Sequence, residues 1–382
     1  MHVITTTSEL AAVCGRLANA AYVAVDTEFV RETTFWPDLC LIQMAGGDDE
    51  CLIDPLAAGI DLKPFFALMA NEAVLKVFHA ARQDLEIIHL LSRVIPKPLF
   101  DTQVAAMVCG FGDSVSFSNL VRSVTGKDID KSSQFTDWRR RPLTPKQLTY
   151  ALSDVTQLRP VYEHLASKLE ETGRVEWLFE EMRFLTDAAT YEQHPEMAWQ
   201  RLKLRVKSRK ALGVLVEVAA WRERTAQAAN VPRGRVLKDE AIYDIANQMP
   251  RTTEELGELR TIHDGFARSA RGQDLIAAVR DGLARDPATL PQLERGAATP
   301  VEAQAVLELL KVLLKAAAAA HGVAPKMIAT SDDLERLAVE REPNILALKG
   351  WRRELFGDKA MALKAGKLAL KVRAGAIEAV EV

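Results

Sequence analysis

YVAVDTEFV (Tyr22–Val30), LCLIQM (Leu39–Met44), GGDDE (Gly46–Glu50) and CLIDP (Cys51–Pro55) decide how this chain folds. The first two are short apolar runs rich in β-formers, and the third is a turn that leads into the fourth, so together they predict a β-meander. Working outward, a helical pattern near Lys63–Met69 precedes the apolar run VLKVFH (Val74–His79). LEIIHLL (Leu85–Leu91) then repeats on a 3.6-residue period and is closed by Pro96 and Pro98. This alternation predicts an α/β layer domain: a mixed sheet begun by an antiparallel meander and continued by βα crossovers, with helices on both faces.

The clearest helix start is at Thr144, where Gln147 has capping-box spacing and Pro145 takes the first helical position. A helix over 144–168 places Tyr150 and Asp154 on one face. From about residue 172 the strand pattern vanishes and amphipathic Ala- and Leu-rich runs predict helix throughout. VLVEVAAWRERTAQAANV (214–231) aligns with VLELLKVLLKAAAAAHGV (306–323) at an offset of 92, which also lays Val236, Ile242 and Ile245 over Ile328, Leu334 and Leu337. Two small helical bundles in tandem are expected, with a linker over Ala284–Pro300.

At about 150 residues per domain, a chain of 382 residues holds roughly two and a half. Hydrophobic residues are 48% and charged residues 26%, the balance of a packed globular protein. The longest apolar stretch, Val306–Ala320, is interrupted by Glu308, Lys311 and Lys315, so no membrane span is expected. No secretion-signal pattern opens the sequence, and the expected location is the cytoplasm. Cys14, Cys40, Cys51 and Cys109 have no CxxC spacing, which argues for reduced thiols over disulfides or zinc. Net charge is only −3, yet Ala198–Arg235 holds ten basic residues (Arg201, Lys203, Arg205, Lys207, Arg209, Lys210, Arg222, Arg224, Arg233, Arg235) against Glu217 and Glu223. That window reads either as a solvated helix face or as a footprint for phosphates.

Asp26 and Glu28 are two apart at a strand end, so both carboxylates leave the same side of the sheet. Asp84 follows a buried strand at the start of a helix, and Asp154 shares a later helix face with Tyr150. Each alone is an ordinary cap or surface residue. As a set, four acids that an α/β fold can gather at one sheet edge require cations, and hard oxygen donors without His or Cys suit Mg²⁺ or Mn²⁺. Paired ions roughly 3.5 to 4 Å apart serve phosphoryl displacement.

VAVDTEFVRETTFWPDLCLIQMA, VFHAARQDLEIIHLL, LFDTQVAAM and YALSDVTQL resemble the successive exonuclease motifs of the ribonuclease D family, in the tyrosine-bearing subclass of the DEDD superfamily. The likeness runs over about residues 1 to 195, in order and spacing. The duplicated helices resemble the helicase and ribonuclease D C-terminal (HRDC) domain, more clearly at 208–285 than at 300–372. The resemblance implies a ribonuclease H-like exonuclease domain at 1–195, then all-α HRDC-type domains at 208–285 and, more divergent, at 300–372. It implies catalytic residues Asp26, Glu28, Asp84, Tyr150 and Asp154, with the four acids holding two divalent metal ions (Mg or Mn) and Asp26 bridging them. Tyr150 would position the attacking water, as an orienting group more than as a base, since a free phenol has a pKa of about 10. The implied activity is 3′–5′ exoribonuclease, releasing nucleoside 5′-monophosphates from RNA 3′ ends such as those of precursor tRNA, with no membrane and no obligate protein partner.

Around this set, Asp101 is read as a helix cap and His79 as a core residue or a neighbour of the site. Gln43 is read either as a substrate contact or as sheet packing. The segment SSQFTDWRRRPL (132–143) resembles the family's loop before the third motif; Trp138 would stack on a base and Arg139, Arg140 and Arg141 would meet phosphates. Two rival readings are a 3′–5′ DNA exonuclease on the same scaffold, distinguished by contacts to a 2′-hydroxyl, and a nonhydrolytic RNA-binding adaptor, which the retention of every motif acid disfavours.

Overall fold

Six strands build the sheet: β1 (Val3–Ile4), β2 (Tyr22–Val30), β3 (Asp38–Gly46), β4 (Asp49–Ile53), β5 (Leu75–Phe78) and β6 (Leu99–Asp101), in the order β1-β4-β3-β2-β5-β6. β3 and β4 pair antiparallel across the Gly46–Asp49 turn, as the meander requires, while β1 lies parallel to β4, β5 to β2 and β6 to β5. The computed structural model describes residues 2–203, 205–206, 208–290 and 300–382. Its chain divides into two units: the described residues of 1–28, 40–190 and 296–382 form one, and those of 29–39 and 191–295 the other.

In the first unit the sheet is dressed by α1 (Thr7–Leu17), α2 (Lys63–Ala70), α3 (Arg82–Ser92), α4 (Thr102–Val108), α5 (Phe117–Thr125), α6 (Pro145–Glu171) and α7 (Val175–Leu185). β1 and β6 had no counterpart in the sequence reading, because each is two or three residues long and carries no period of its own; α1, whose buried Leu10, Val13, Cys14 and Leu17 do mark a helix face, also went unread. α6 begins as expected: the Gln147 N–H donates to Thr144 Oγ1 at 3.2 Å, and the Thr144 N–H donates back to Gln147 Oε1 at 3.0 Å.

The helices of the second unit are α8 (Arg209–Ala229), α9 (Arg233–Val236), α10 (Asp239–Gln248), α11 (Thr253–Gly257), α12 (Asp264–Ala267) and α13 (Ala270–Ala284). α8 and α13 touch backbone to backbone, since a Cβ on Gly213 would lie 2.5 Å from the Gly282 carbonyl oxygen. Only glycine allows that approach. Phe35, on the connection between β2 and β3, is 2% exposed in this unit's core among Val214, Val218, Ile242 and Leu275. Asn230 Oδ1 accepts from the N–H groups of Phe35 (3.1 Å) and Trp36 (3.0 Å), and the Arg233 guanidinium lies 4.4 Å from the Phe35 ring centroid. Of the expected linker, Leu290 is anchored against Leu212 and Val216, and 291–299 lie outside the described residues.

The duplication is visible in three consecutive elements. α14 (Val301–His321), α15 (Pro325–Ile328) and α16 (Ser331–Val339) start at the positions of α8, α9 and α10 shifted by 92. Both long helices end on a left-handed residue, Asn230 and Gly322. This second copy belongs to the first unit. Arg174 donates to the His321 carbonyl (2.5 Å) at the negative end of α14. α17 (Gly350–Arg352) and α18 (Asp358–Lys364) follow, joined through a π-turn; Trp351 stacks on Trp177 of α7 with centroids 4.2 Å apart.

Expected helix gives way at the end of the chain to a hairpin, β7 (Leu368–Arg373) and β8 (Ala376–Glu381). Its two-residue turn has positive φ at Ala374 (49°) and Gly375 (80°), as a right-twisted hairpin demands. Alanine in the place where Asn or Asp usually stands hid that turn from the sequence reading.

Gln43 is completely buried in β3, and neither amide atom has a hydrogen-bond partner among the described residues. This is the placement of its second expected reading, sheet packing. Nearly all of β3 is buried, so the alternation that marks a solvent face is missing there. An unpaired buried amide costs about 1–3 kcal/mol. Gln43→Met is expected to raise the denaturation midpoint, by about 1 kcal/mol, in an equilibrium urea titration. Phe35→Ala, which opens a cavity in the second unit's core, is expected to destabilise that unit by about 3–5 kcal/mol, read by hydrogen exchange of α8 and α10.

Candidate active site

The central residues of β2, Val23–Val25, are fully buried, and the strand carries Asp26 and Glu28 out to a half-buried edge. Asp154 arrives from the third turn of α6. Carboxylate oxygens of Asp26, Glu28 and Asp154 all lie within 4.8 Å of one another. Asp84 stands in the first turn of α3, buried, and its Oδ1 accepts from the Thr27 hydroxyl at 2.5 Å. It lies outside the 4.8 Å group but close enough to Asp26 for the two charges to repel. Thr27 had not been singled out: it points away from its two acidic neighbours by strand alternation and braces the fourth acid instead.

Burial and mutual repulsion hold these groups protonated to unusual pH. Burial raises Asp26 well above the carboxylate range, with the Asp154 charge adding to it. Burial also lifts Glu28 to about 10, helped by Asp26, Asp154 and Asp84. Asp84 rises through burial and then Asp26. Asp154 reaches about 7 by burial, although the Tyr150 hydroxyl that donates to it pulls the other way. Tyr150 is pushed far above the phenol range by burial and then by the Asp154, Glu28 and Asp26 charges.

A cavity of about 120 Å³ is lined by Asp26, His79, Phe117, Tyr150, Asp154 and Leu158. His79 thus borders the site, as one of its two expected readings had it. Its Nδ1 is 3.0 Å from Thr102 Oγ1, and burial depresses its pKa to about 4, so the imidazole is neutral. Asp101 caps α4, accepting from Gln103 (2.8 Å) and Val104 (3.4 Å), and also accepts from Ala80 (3.0 Å) and Ala81 (2.8 Å). The second pair ties down Ala80, whose φ is 58°, at the turn into α3. One carboxylate therefore fixes the junction that presents Asp84, a non-local role beyond the cap that the sequence suggested.

The loop before α6 differs from expectation. Trp138 is 2% exposed and packs 6.1 Å from the Tyr150 ring, so it is a buried wall of the site, with no face open to a base. Arg141 is spent on Asp54, with Nε–Oδ2 and Nη2–Oδ1 both 2.7 Å, and on the Cys40 carbonyl at 2.6 Å. Such a bidentate pair leaves no fork for a phosphate. Arg139 and Arg140 are exposed.

Within the second unit, much of the basic window is also engaged. Glu223, 1% exposed, holds Arg201 (2.8 Å) and Arg233 (2.6 Å), and Arg222 meets Asp239 at 2.5 Å. Burial pushes the Glu223 pKa up, but Arg233 and Arg201 more than offset it. Arg209 donates to the Pro287 carbonyl, Lys203, Lys210 and Arg235 are exposed, and Lys207 lies outside the described residues. Arg201, Arg222 and Arg233 are thus committed to a structural network, while Arg205 and Arg224 join Lys203, Lys210 and Arg235 on the exposed surface.

The 3′-5′ exonuclease family model matches residues 1–170 and the HRDC domain model residues 211–279. A ribonuclease D of Nitrobacter hamburgensis is 55% identical over 381 residues, covering 100% of both chains. That of Gluconacetobacter diazotrophicus is 48% identical over 369 residues, 97% of this chain and 94% of the other. The crystal structure of Escherichia coli RNase D, described as an exoribonuclease involved in structured RNA processing, matches with a TM-score of 0.83 at 29% identity, over 96% of this chain and 98% of that one. A Bifidobacterium adolescentis protein at 21% identity shares the fold, with a TM-score of 0.70 over 96% and 97%.

The raised carboxylate pKa values carry a stability consequence. In the unfolded chain these acids ionise near pH 4, whereas folded Asp154 keeps its proton to about 7. The folded state therefore binds more protons between those values, and stability falls as pH rises through the window. In chelator at pH 7.5, Asp154→Asn is expected to melt roughly 2–4 °C above the wild type, with the two curves converging near pH 4. Calorimetric melts across that range check it.

Proposed function

The chain belongs to the ribonuclease D family and is a 3′–5′ exoribonuclease, and on that premise we propose that Asp26, Glu28, Asp84, Asp154 and Tyr150 form its catalytic centre. The observation that supports this most directly is the convergence of half-buried Asp26 and Glu28 with buried Asp154 within 4.8 Å, beside a tyrosine hydrogen-bonded to one of them. Such a group is uphill in charge unless a cation joins it.

The donor set fits a hard divalent ion: it is all carboxylate, with the one adjacent imidazole neutral and engaged by Thr102. Asp26, Glu28, Asp84 and Asp154 would together hold two such ions, Mg²⁺ or Mn²⁺. Bound there, the ions supply Lewis acidity toward the phosphodiester and the attacking water. The chain's own groups supply position. Burial and the neighbouring carboxylates raise the Tyr150 pKa, which suits its hydroxyl to orienting the water more than to accepting a proton; Asp154 fixes that hydroxyl one helical turn away. Trp138 backs the Tyr150 ring, and Asp101 holds the turn that presents Asp84.

The products we propose are nucleoside 5′-monophosphates, and the substrates the 3′ ends of precursor tRNA and other small structured RNAs. The relative from Escherichia coli, with its part in structured RNA processing, supports that choice. As domain limits we propose 1–195, 208–285 and 300–372. Among the described residues no helix is long and apolar enough to cross a membrane, and four free buried cysteines suit the reducing cytoplasm in which we place the protein.

End-labelled RNA and DNA oligomers of one sequence, incubated with Mg²⁺, Mn²⁺ or chelator and resolved on a gel, test this reading. Stepwise shortening of RNA from the 3′ end with metal, and none with chelator, is expected. Asp26→Asn should abolish it. Tyr150→Phe should lower turnover on the order of 10²- to 10⁴-fold with little change in RNA affinity, and an unaltered rate would remove Tyr150 from the catalytic set.

A further inference from the structure

The turn that precedes α6 is pinned on both sides. The Ser133 carbonyl, buried, accepts from the Thr136 N–H (3.2 Å) and hydroxyl (2.8 Å). Thr136 Oγ1 accepts in turn from Nε2 of Gln147, the capping-box residue of α6, at 3.0 Å. Two residues beyond, Trp138 is buried against Tyr150. Between these anchors Phe135 is 93% exposed, the most exposed of the large apolar side chains among the described residues. Lys131 and Arg140 stand exposed to either side of it in the chain. The neighbouring acids are drawn off: Asp130 lies 3.7 Å from Lys146, Asp128 lies 2.5 Å from Arg122, and Asp137 accepts from the Arg139 N–H at 3.1 Å.

We propose that Phe135 stacks on an unpaired nucleobase of the RNA strand whose 3′ end lies at the acid cluster, with Lys131 and Arg140 taking the flanking phosphates. A ring displayed in water from an anchored turn has no core of its own to enter, and its place on the loop is set before RNA arrives. Stacking of this kind accepts any base, because every base has a π-face, and it requires that base to be unpaired. The contact therefore selects single-stranded 3′ tails without reading their sequence, and weakens when trimming reaches a duplex. It moves the stacking role from buried Trp138 to a ring three residues earlier in the same loop.

The test uses the full-length protein with Mn²⁺ on an unstructured oligoadenylate. Phe135→Ala is expected to raise KM about tenfold or more with kcat within twofold of wild type. Phe135→Trp should restore KM, and Phe135→Leu, apolar without a π-face, should not. Dissociation constants for fluorescein-labelled oligoadenylate in chelator, measured by anisotropy, should move in parallel, and the melting temperature should stay put because the side chain is on the surface. A KM for Phe135→Ala within twofold of wild type, a fall in kcat alone, or rescue by Phe135→Leu as full as by Phe135→Trp overturns the proposal. The inference rests on RNA entering the acid pocket. Failure of that premise shows as wild-type turnover by Asp26→Asn, whereas failure of the stacking contact alone shows as an Asp26→Asn protein that is dead beside a Phe135→Ala protein with unchanged KM.

Discussion

Repulsion among like charges in a place poor in water is the constraint around which this fold is arranged. Asp26, Glu28, Asp84 and Asp154 would separate if their supports were soft, since each gains by moving toward solvent. They are held on elements that do not give: a strand with a fully buried centre, the first turn of a helix whose entry is tied by Asp101, and a helix of 27 residues locked at its start by a reciprocal cap. Thr27 and Tyr150 each donate one hydrogen bond to an acid that would otherwise stand alone. The scaffold is thus strained toward cation binding, and its stability is lower than the same fold with neutral residues would have.

What could be read from the amino-acid sequence follows how local each signal is. The meander, the capping box at Thr144 and the strand-end pair Asp26 and Glu28 are written within a few residues of one another, and they were legible. So was the 92-residue repeat, whose copies share helix starts and left-handed ends. The burial of Trp138 and the pairing of Arg141 could not be read locally, because they depend on partners outside their own loop: Tyr150 on the following helix for the ring and Asp54, 87 positions away, for the guanidinium. Within the basic window the sequence left two readings open, and it did not show that a single buried Glu223 holds two of the arginines. For Gln43 the apolar run Leu39–Met44 pointed to a strand covered on both faces, but not to an amide left without a partner there.

Although the two helical copies share their first three elements, they are put to different use. The first forms a core of its own around α8. The second lies in the same unit as the sheet and is bound to the helices that follow it, through the Arg174 contacts at the end of α14, the Trp177–Trp351 stack and the ion pair of Arg352 with Glu180 at 2.9 Å. The same three-element frame thus builds a core of its own in one unit and packs within the sheet's unit in the other.

The seating of Phe35 bears on how the chain is made. Its partner Asn230 lies 195 positions downstream. At a synthesis rate of about 5–20 residues per second, the ribosome needs roughly 10–40 s to deliver the helices that bury this ring. Throughout that interval strands β2 and β3 exist joined by a connection whose aromatic residues have nothing to cover them. Translation order and packing order are therefore opposed at the very hairpin that carries two of the acids, and the nascent hairpin offers chaperones an exposed Phe-Trp pair until the helical unit has emerged.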